Sequence, residues 1–228
     1  MLQASIVVAV VAVAVCLWRV WCILPRRNGA TSSSLLHTPG KPSSGNQTST
    51  TSGSTARTLV VLGSGGHTTE MLKLIKRLSM DTYAPLAFVV AASDHTSEEK
   101  ARVERKDDGP LHFYTIPRSR EVGQSWVSTV FTTAYSFLYS VWVVFHFQPD
   151  VLVCNGPGTC IPICAALLVR RFLGHQPSSK LIFCESFARV QRLSLSGRLL
   201  YHVADAFVVH WPQLQAKYPH ATYLGTIC

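Results

Sequence analysis

A histidine lies inside a glycine-rich turn, where its imidazole could move a proton next to a bound anion. The turn, Gly63-Ser64-Gly65-Gly66-His67-Thr68, follows the apolar run 59–62, which is typical of a strand buried on both faces of a parallel sheet. An amphipathic helical pattern comes next, and Thr68 or Thr69 can cap that helix. A turn that presents free N–H groups at a helix start is suited to binding phosphate. We therefore predict an anion site here, with His67 available for proton transfer.

Other functions of this turn fit the sequence less well. A Walker phosphate loop is excluded, because no Gly-Lys-Ser/Thr follows at the required spacing. A dinucleotide fingerprint needs a third glycine or alanine where this chain has Thr68, and an acidic residue about twenty positions further on. Asp94 is the nearest strand-end candidate and lies too far along the chain. A tight turn without any ligand stays open, although the position of His67 argues against it.

Three further segments carry groups suited to the same chemistry. The loop Asn155-Gly156-Pro157-Gly158-Thr159 follows an apolar run and opens a helix, so it repeats the logic of the first turn. Arg118 and Arg120 follow another run and suit phosphate oxygens, or else belong to a general cationic surface in a chain of net charge +9. Glu185 could bind a sugar hydroxyl or orient a base, or it could be a solvated helix cap.

The pattern of strands and helices predicts that these segments meet. Apolar runs at 59–62, 86–91, 111–116, 151–154, 180–184 and 206–210 alternate with helical or charged segments at 93–108, 160–172 and 196–203. Such alternation predicts an α/β, Rossmann-like parallel sheet covered by helices on both faces. In folds of this kind, ligands bind outside the carboxyl ends of the strands, where all four segments lie.

Two segments are long and apolar enough to contact a membrane. Residues 4–24 match the roughly twenty residues that span a bilayer. They lack the basic start and the cleavage site of a signal peptide, so a retained anchor is expected. Arg26 and Arg27 follow it, which places the rest of the chain in the cytosol by the positive-inside rule. A span at 126–147 would put strands of one sheet on opposite sides of the bilayer, so we predict a crossover helix with one face near lipid.

The chain is predicted to have three parts. Residues 1–27 are the anchor, residues 28–57 are a disordered linker of Ser, Thr, Gly and Pro, and residues 58–228 are the folded domain. The cysteines of the domain lie in or beside apolar runs without metal-ligand spacing, and are expected to be reduced and buried: Cys154, Cys160, Cys164 and Cys184. No metal, no cofactor and no nucleic-acid partner is expected.

The domain resembles the membrane-anchored subunit of the two-part UDP-N-acetylglucosamine transferase that makes dolichyl-diphosphate chitobiose. The resemblance extends in order from Thr58 to Ile227. It is carried by Val-Leu-Gly-Ser-Gly-Gly-His-Thr-Thr-Glu (61–70), Ile-Pro-Arg-Ser-Arg-Glu-Val (116–122), Gln-Ser-Trp (124–126), Ser-Thr-Val-Phe-Thr-Thr (128–133), Pro-Asp-Val-Leu-Val-Cys-Asn-Gly-Pro-Gly-Thr-Cys-Ile-Pro-Ile-Cys (149–164), Trp-Pro (211–212), Lys-Tyr-Pro (217–219) and Tyr-Leu-Gly (223–225).

The resemblance implies a fold and a set of site residues. It implies the N-terminal, acceptor-binding half of a GT-B glycosyltransferase, similar to one half of the bacterial lipid-linked peptidoglycan N-acetylglucosaminyltransferase. His67 matches a histidine proposed there as the base, and Glu185 matches a glutamate of the acceptor site; which of the two is the base stays open. The acceptor diphosphate is expected to contact Gly63, Ser64, Gly65, Gly66, Thr68, Arg118, Arg120, Asn155, Gly156, Gly158 and Thr159.

The resemblance also implies partners and a location. Because the sequence stops at Cys228, directly after its last predicted strand, the chain is expected to be inactive alone and to need a soluble partner that binds UDP-N-acetylglucosamine. That partner is expected to dock on the C-terminal residues Tyr223, Leu224, Gly225 and Ile227. The expected acceptor is dolichyl-diphosphate-N-acetylglucosamine, at the endoplasmic reticulum membrane or the nuclear envelope, with a single span and the domain in the cytosol.

Two alternative functions predict different behaviour. A non-enzymatic recruiter of the catalytic partner would need the anchor and the C-terminal tail, but not His67 or Glu185. A membrane-tethered NAD-dependent oxidoreductase would bind a nucleotide by itself, and Thr68 and the missing acidic residue argue against it.

Overall fold

The protein is built on one parallel sheet, as seen in a computed structural model that describes residues 2–25, 55–121, 123–156 and 158–225, with the backbone only for 2–8 and 10. The elements are α1 (Leu2–Ile23), β1 (Thr58–Val61), α2 (Gly66–Ile75), β2 (Leu86–Ala91), α3 (Ser97–Glu104), β3 (His112–Ile116), α4 (Trp126–Phe147), β4 (Val151–Asn155), α5 (Cys160–Phe172), β5 (Lys180–Cys184), α6 (Leu195–Leu200), β6 (Ala206–Val209), α7 (Pro212–Lys217) and β7 (Thr222–Tyr223).

The order of the strands places two predicted loops side by side. Seven parallel strands follow the order β3-β2-β1-β4-β5-β6-β7, so the chain reverses its direction of winding between β1 and β4. Thr58 of β1 pairs with Val151 of β4, which brings the glycine turn after β1 next to the loop after β4. A switch point of this kind leaves a crevice at the carboxyl ends of the strands. The predicted Rossmann-like sheet is confirmed.

The core lies on both faces of the sheet, as the apolar runs predicted. Leu59 and Val61 of β1 pack on one side with α4 and α5, whereas Val60 and Leu62 pack on the other side with α2. All four side chains are fully buried. A strand buried on both faces gains stability from every side chain, which explains why β1 reads as a continuous apolar run.

Helix α4 is the crossover between β3 and β4. It contacts α5 and β3 and buries Ser136, Ser140, Val143, Val144 and Phe147. By length and composition it could cross a membrane, but the strands before and after it belong to one sheet. It is therefore the crossover helix that was predicted. Its remaining surface exposes large apolar residues, namely Trp126, Val127, Val130, Phe131, Tyr135, Leu138, Tyr139 and Trp142.

Three expectations fall at the edges of the described structure. Helix α1 (Leu2–Ile23) contacts α5. Residues 26–54, which include almost all of the predicted linker and the pair Arg26–Arg27, lie outside the described residues. The anchor and its orientation therefore stay predictions.

Two elements differ from the sequence-based expectation because they are very short. Tyr223, expected in a docking tail, lies in the two-residue strand β7 and pairs with Val209. Helix α6 begins at Leu195, one residue earlier than predicted, with Ser194 as its N-cap accepting from Gly197 N. Neither element is long enough to show a hydrophobic period.

Candidate functional site

A cavity of about 640 Å³ lies at the carboxyl edge of the sheet. The loops after β1, β3, β4 and β5 contribute to it, together with the first turns of α4 and α6. Predicted site residues from three separate loops meet in its lining, which includes Ser64, Arg118, Arg120, Gly156, Gly158 and Thr159. Their convergence is a consequence of the strand order, because the carboxyl ends of parallel strands share one edge.

Arginine side chains give the cavity its positive charge. Arg118 donates to Ser93 Oγ at 3.3 Å and to Ser64 Oγ at 3.4 Å, so it links the loops after β2 and β1. The Arg120 guanidinium lies 4.1 Å from the ring centre of Trp126. Arg189, in the loop after β5, also lines the cavity and was not indicated by the sequence. Guanidinium groups in such an arrangement suit the oxygens of a phosphate or diphosphate.

His67 lies in the first turn of α2, against the loop after β4. Its Nδ1 lies 3.4 Å from Glu70 Oε2, one helical turn further along. Gly156 has a φ of +46°, and a Cβ added there would lie only 2.7 Å from Cε1 of His67. A side chain at this position would therefore displace the imidazole from its present place, and the positive φ itself favours glycine.

Glu70 is the functional candidate that the sequence did not indicate. Its Oε1 accepts from Ser186 Oγ at 3.1 Å and its Oε2 from Asn155 Nδ2 at 3.4 Å. Asn155 also donates to the main-chain oxygen of His67 at 3.0 Å. One carboxylate of α2 thus contacts the last residue of β4 and the segment that follows β5. The three-residue spacing from His67 on a helix was the available signal.

Glu185 is buried, with 1% of its surface exposed, so it is not a solvated helix cap. Oε1 accepts from Ser186 N at 3.0 Å, and Oε2 accepts from Ser194 N at 2.9 Å and Ser194 Oγ at 3.1 Å. Burial raises the pKa of Glu185, and the hydrogen bonds from Ser194 and Ser186 and the charge of Arg189 oppose that effect. Ser194 lines the cavity, and the hydrogen bonds to Glu185 fix the position of Ser194.

The position of Thr68 differs from the one predicted for the anion site. Helix α2 begins at Gly66 with Gly65 as its N-cap, three residues before Thr68, the first of the two expected caps. Thr68 is fully buried; its hydroxyl donates to the Gly63 carbonyl and contacts Ser97 Oγ. Neither the Thr68 side chain nor the Gly63 carbonyl is available to a ligand, because each satisfies the other.

A histidine, His210, and a cluster of three cysteines are further titratable side chains in this part of the domain. Burial lowers the pKa of His210, with the Glu70 carboxylate acting in the opposite direction. Hydrogen bonds with Cys160 and Cys164 raise the pKa of the Cys154 thiol, and burial adds to the effect. The expected burial of these three cysteines and of Cys184 is confirmed. Within the described ranges, no group of three or more His, Cys, Asp or Glu residues could hold a metal ion.

The sheet order and its edge cavity define a Rossmann-like domain. The crystal structure of Acinetobacter baumannii MurG superposes with a TM-score of 0.52 at 15% sequence identity. The superposition covers 76% of this chain and 44% of the MurG chain. This chain therefore spans less than half of MurG, and the similarity shows a shared fold.

The family follows from sequence comparison. Residues 58–227 match the family model described as "Oligosaccharide biosynthesis protein Alg14 like". The proteins named UDP-N-acetylglucosamine transferase subunit ALG14 are 46% identical over 181 residues in Mus musculus and 47% identical over 178 residues in Homo sapiens. The aligned part covers 75% and 74% of this chain, and 82% of each relative. The Yarrowia lipolytica protein of the same name is 43% identical over 178 residues, or 76% of this chain and 82% of its own. The chain belongs to the Alg14 family, which confirms the resemblance.

Proposed function

We propose that this chain is the acceptor-binding subunit of a UDP-N-acetylglucosamine transferase that adds the second N-acetylglucosamine to dolichyl-diphosphate-N-acetylglucosamine. It anchors a soluble, nucleotide-sugar-binding catalytic partner at the endoplasmic reticulum membrane. The observation that carries the proposal is the edge cavity, in which arginines and N–H-rich loops meet an apolar surface. The names of the relatives support the transferase step, since each is called a transferase subunit.

The arginines bind the diphosphate of the acceptor. Arg118 and Arg120 donate to its oxygens, and the charge-assisted geometry of a guanidinium favours such contacts. Gly156, Gly158 and Thr159 lie between β4 and the start of α5, and their backbone N–H groups are further donors to the diphosphate. These contacts fix the acceptor sugar at the carboxyl edge of the sheet, facing the site that the partner completes.

His67 is the base. With Nδ1 directed at Glu70, its other ring nitrogen, Nε2, remains to accept the proton of the acceptor hydroxyl. That hydroxyl oxygen bonds to C1 of the donor sugar as the bond from C1 to UDP breaks, and UDP leaves on the partner. The Glu70 carboxylate stabilises the imidazolium that forms. Glu185 contributes as a positioning residue, because its oxygens accept hydrogen bonds from Ser194, which lines the cavity.

The C-terminal residues dock the catalytic partner. Tyr223 lies in β7 at one edge of the sheet, and Leu224 beyond it is 40% exposed, so both are within reach of a second protein. Gly225 ends the described structure, and Ile227 lies outside the described residues. The exposed apolar surface of α4 faces lipid, and residues 1–27 form the single span, which leaves the domain in the cytosol.

The test is sugar transfer by the full chain co-expressed with its catalytic partner. His67→Ala is expected to lower kcat about 100-fold, the usual contribution of a general base. Arg118→Ala is expected to raise the acceptor KM about tenfold, as for a lost charge-assisted hydrogen bond. Arg102→Ala removes an exposed arginine paired with Glu98 on α3 and serves as the control.

The same experiment separates this proposal from a membrane recruiter. Each variant is checked for co-purification of the partner, so that lost activity with intact pairing assigns the acceptor chemistry to this chain. Wild-type activity in His67→Ala, Arg118→Ala and Glu185→Ala would instead leave the chain as an anchor for its partner.

A further inference from the structure

The edge cavity has an apolar part that core packing does not explain. Besides the arginines, it is lined by Trp126, Ile161, Leu195 and Leu199. Leu195 and Leu199 are 56% and 57% exposed, although α6 buries its neighbouring residue Leu200. Their four-residue spacing puts both on one face of the helix. Two leucines on one helical face therefore meet solvent inside a charged cavity.

This apolar part is continuous with the exposed face of α4. Trp126 lines the cavity and also begins that face, and Val130 continues it one turn later with 67% of its surface exposed. The Arg120 guanidinium lies over the Trp126 ring, so the charged and apolar parts of the cavity meet at that residue. A ligand held here meets positive charge at one end and hydrocarbon at the other.

The position of α6 is fixed from inside the protein. Ser194 caps the helix by accepting from Gly197 N at 2.9 Å, and the buried Glu185 carboxylate holds Ser194 by two further hydrogen bonds. A Cβ added at Gly197 would overlap Glu185 Oε2, so α6 packs directly on that carboxylate. Leu195 and Leu199 are thus held in place before any ligand arrives, which lowers the entropy cost of binding.

We propose that Leu195, Leu199 and Trp126 bind the first isoprene units of a polyprenyl diphosphate whose phosphates lie at Arg118 and Arg120. The proposal rests on the proposed function and assigns the lipid part of that same site. Diphosphate and hydrocarbon joined in one molecule match the two halves of the cavity, whereas a nucleotide sugar has no apolar chain to cover the leucines. A volume of about 640 Å³ admits a headgroup and the start of a chain, and the rest of the chain follows α4 towards the membrane.

The test uses the double variant Leu195→Ser/Leu199→Ser in the full complex, assayed with a polyprenyl-diphosphate acceptor in mixed micelles. We expect the acceptor KM to rise at least about fivefold, because two leucines lose their apolar contacts with the isoprene units. The kcat and the KM for UDP-N-acetylglucosamine stay unchanged, and Leu195→Met/Leu199→Met restores the acceptor KM.

Leu173→Ser is the matched control. Leu173 is 55% exposed at the end of α5 and does not line the cavity, so its loss tests general micelle binding. An unchanged acceptor KM in the double variant would overturn the proposal, as would a lower kcat at unchanged KM or an equal effect of Leu173→Ser. These outcomes leave the proposed function standing if His67→Ala and Arg118→Ala still impair transfer; if neither does, the proposed function itself fails.

Discussion

At the scale of single residues, the site depends on contacts that join distant parts of the sequence. Glycines, a histidine and arginines could be recognised from their types and from their positions after apolar runs. Their partners could not, because Glu70 meets Ser186 across 116 positions of sequence. Thr68 shows the converse: a residue type suited to capping is used instead to close the turn from inside. The local sequence pattern predicts which residues have suitable chemical groups, whereas the fold determines which of those groups face the ligand.

Gly156 provides a direct test of the arrangement around His67. Gly156→Ala is expected to lower transfer activity at least about tenfold, because displacing a catalytic group by about 1 Å is costly. Gly109→Ala is the control: Gly109 also has a positive φ, +80°, but nothing lies within 4 Å of an added Cβ. Both variants bear a similar backbone strain of about 1 kcal/mol, measured as a loss of unfolding free energy. Equal activity in the two variants would contradict the role assigned to the His67–Gly156 contact.

His210 predicts a pH dependence of stability. Burial holds its pKa below the ordinary value of 6.5, so the folded protein keeps the ring neutral while the unfolded chain takes up a proton. Stability is therefore expected to fall as the pH drops through 6.5. His210→Phe should show a smaller loss of thermal midpoint between pH 7.5 and 5.5 than the wild-type chain. A parallel loss in both proteins would show that His210 does not titrate in this way.

At the scale of elements, length decides what the sequence reveals. The strands β1, β2, β4 and β5 are apolar runs of four to six residues, and their positions were predicted within one or two residues. The two-residue β7 was not predicted, because only its pairing with β6 makes it a strand. The crossover helix α4 was recognised by a topological argument, since a span there would have divided the sheet.

Arg171 joins α5 to β5 and to the turn before β6. It is 2% exposed and bonds Ser179 and Asp205, and Asp205 Oδ2 also accepts from Leu181 N at 2.7 Å. Arg171→Met removes the buried charge partner of that carboxylate and leaves only the exposed Lys180, whose Nζ lies 3.8 Å from Oδ1. We therefore expect a loss of about 3 kcal/mol in denaturant unfolding. The exposed pair of Arg102 and Glu98 gives the comparison, where Arg102→Met should cost less than about 1 kcal/mol. Similar losses in both variants would argue against a buried structural role.

At the scale of the whole molecule, one cavity combines three features that the proposed function needs. It lies at the carboxyl edge of the sheet, it is lined by arginines, and it continues into the exposed apolar face of α4. In the proposed complex, the membrane supplies the acceptor from the α4 side and the partner supplies the nucleotide sugar. The cavity and its apolar wall could not be predicted from the sequence, because α6 is too short to show a period and its leucines resemble core residues.

The most direct measurement locates each substrate in the complete complex. An acceptor with a photoreactive group in its first isoprene units is irradiated with the complex, and the crosslinked residues are identified by mass spectrometry. A photoreactive analogue of UDP-N-acetylglucosamine is used in parallel. We predict that the acceptor analogue labels residues 118–126 and 189–199 of this chain, while the nucleotide analogue labels the partner. Labelling of this cavity by the nucleotide analogue, or of the partner alone by the acceptor analogue, would contradict the assignment of the acceptor site to this chain.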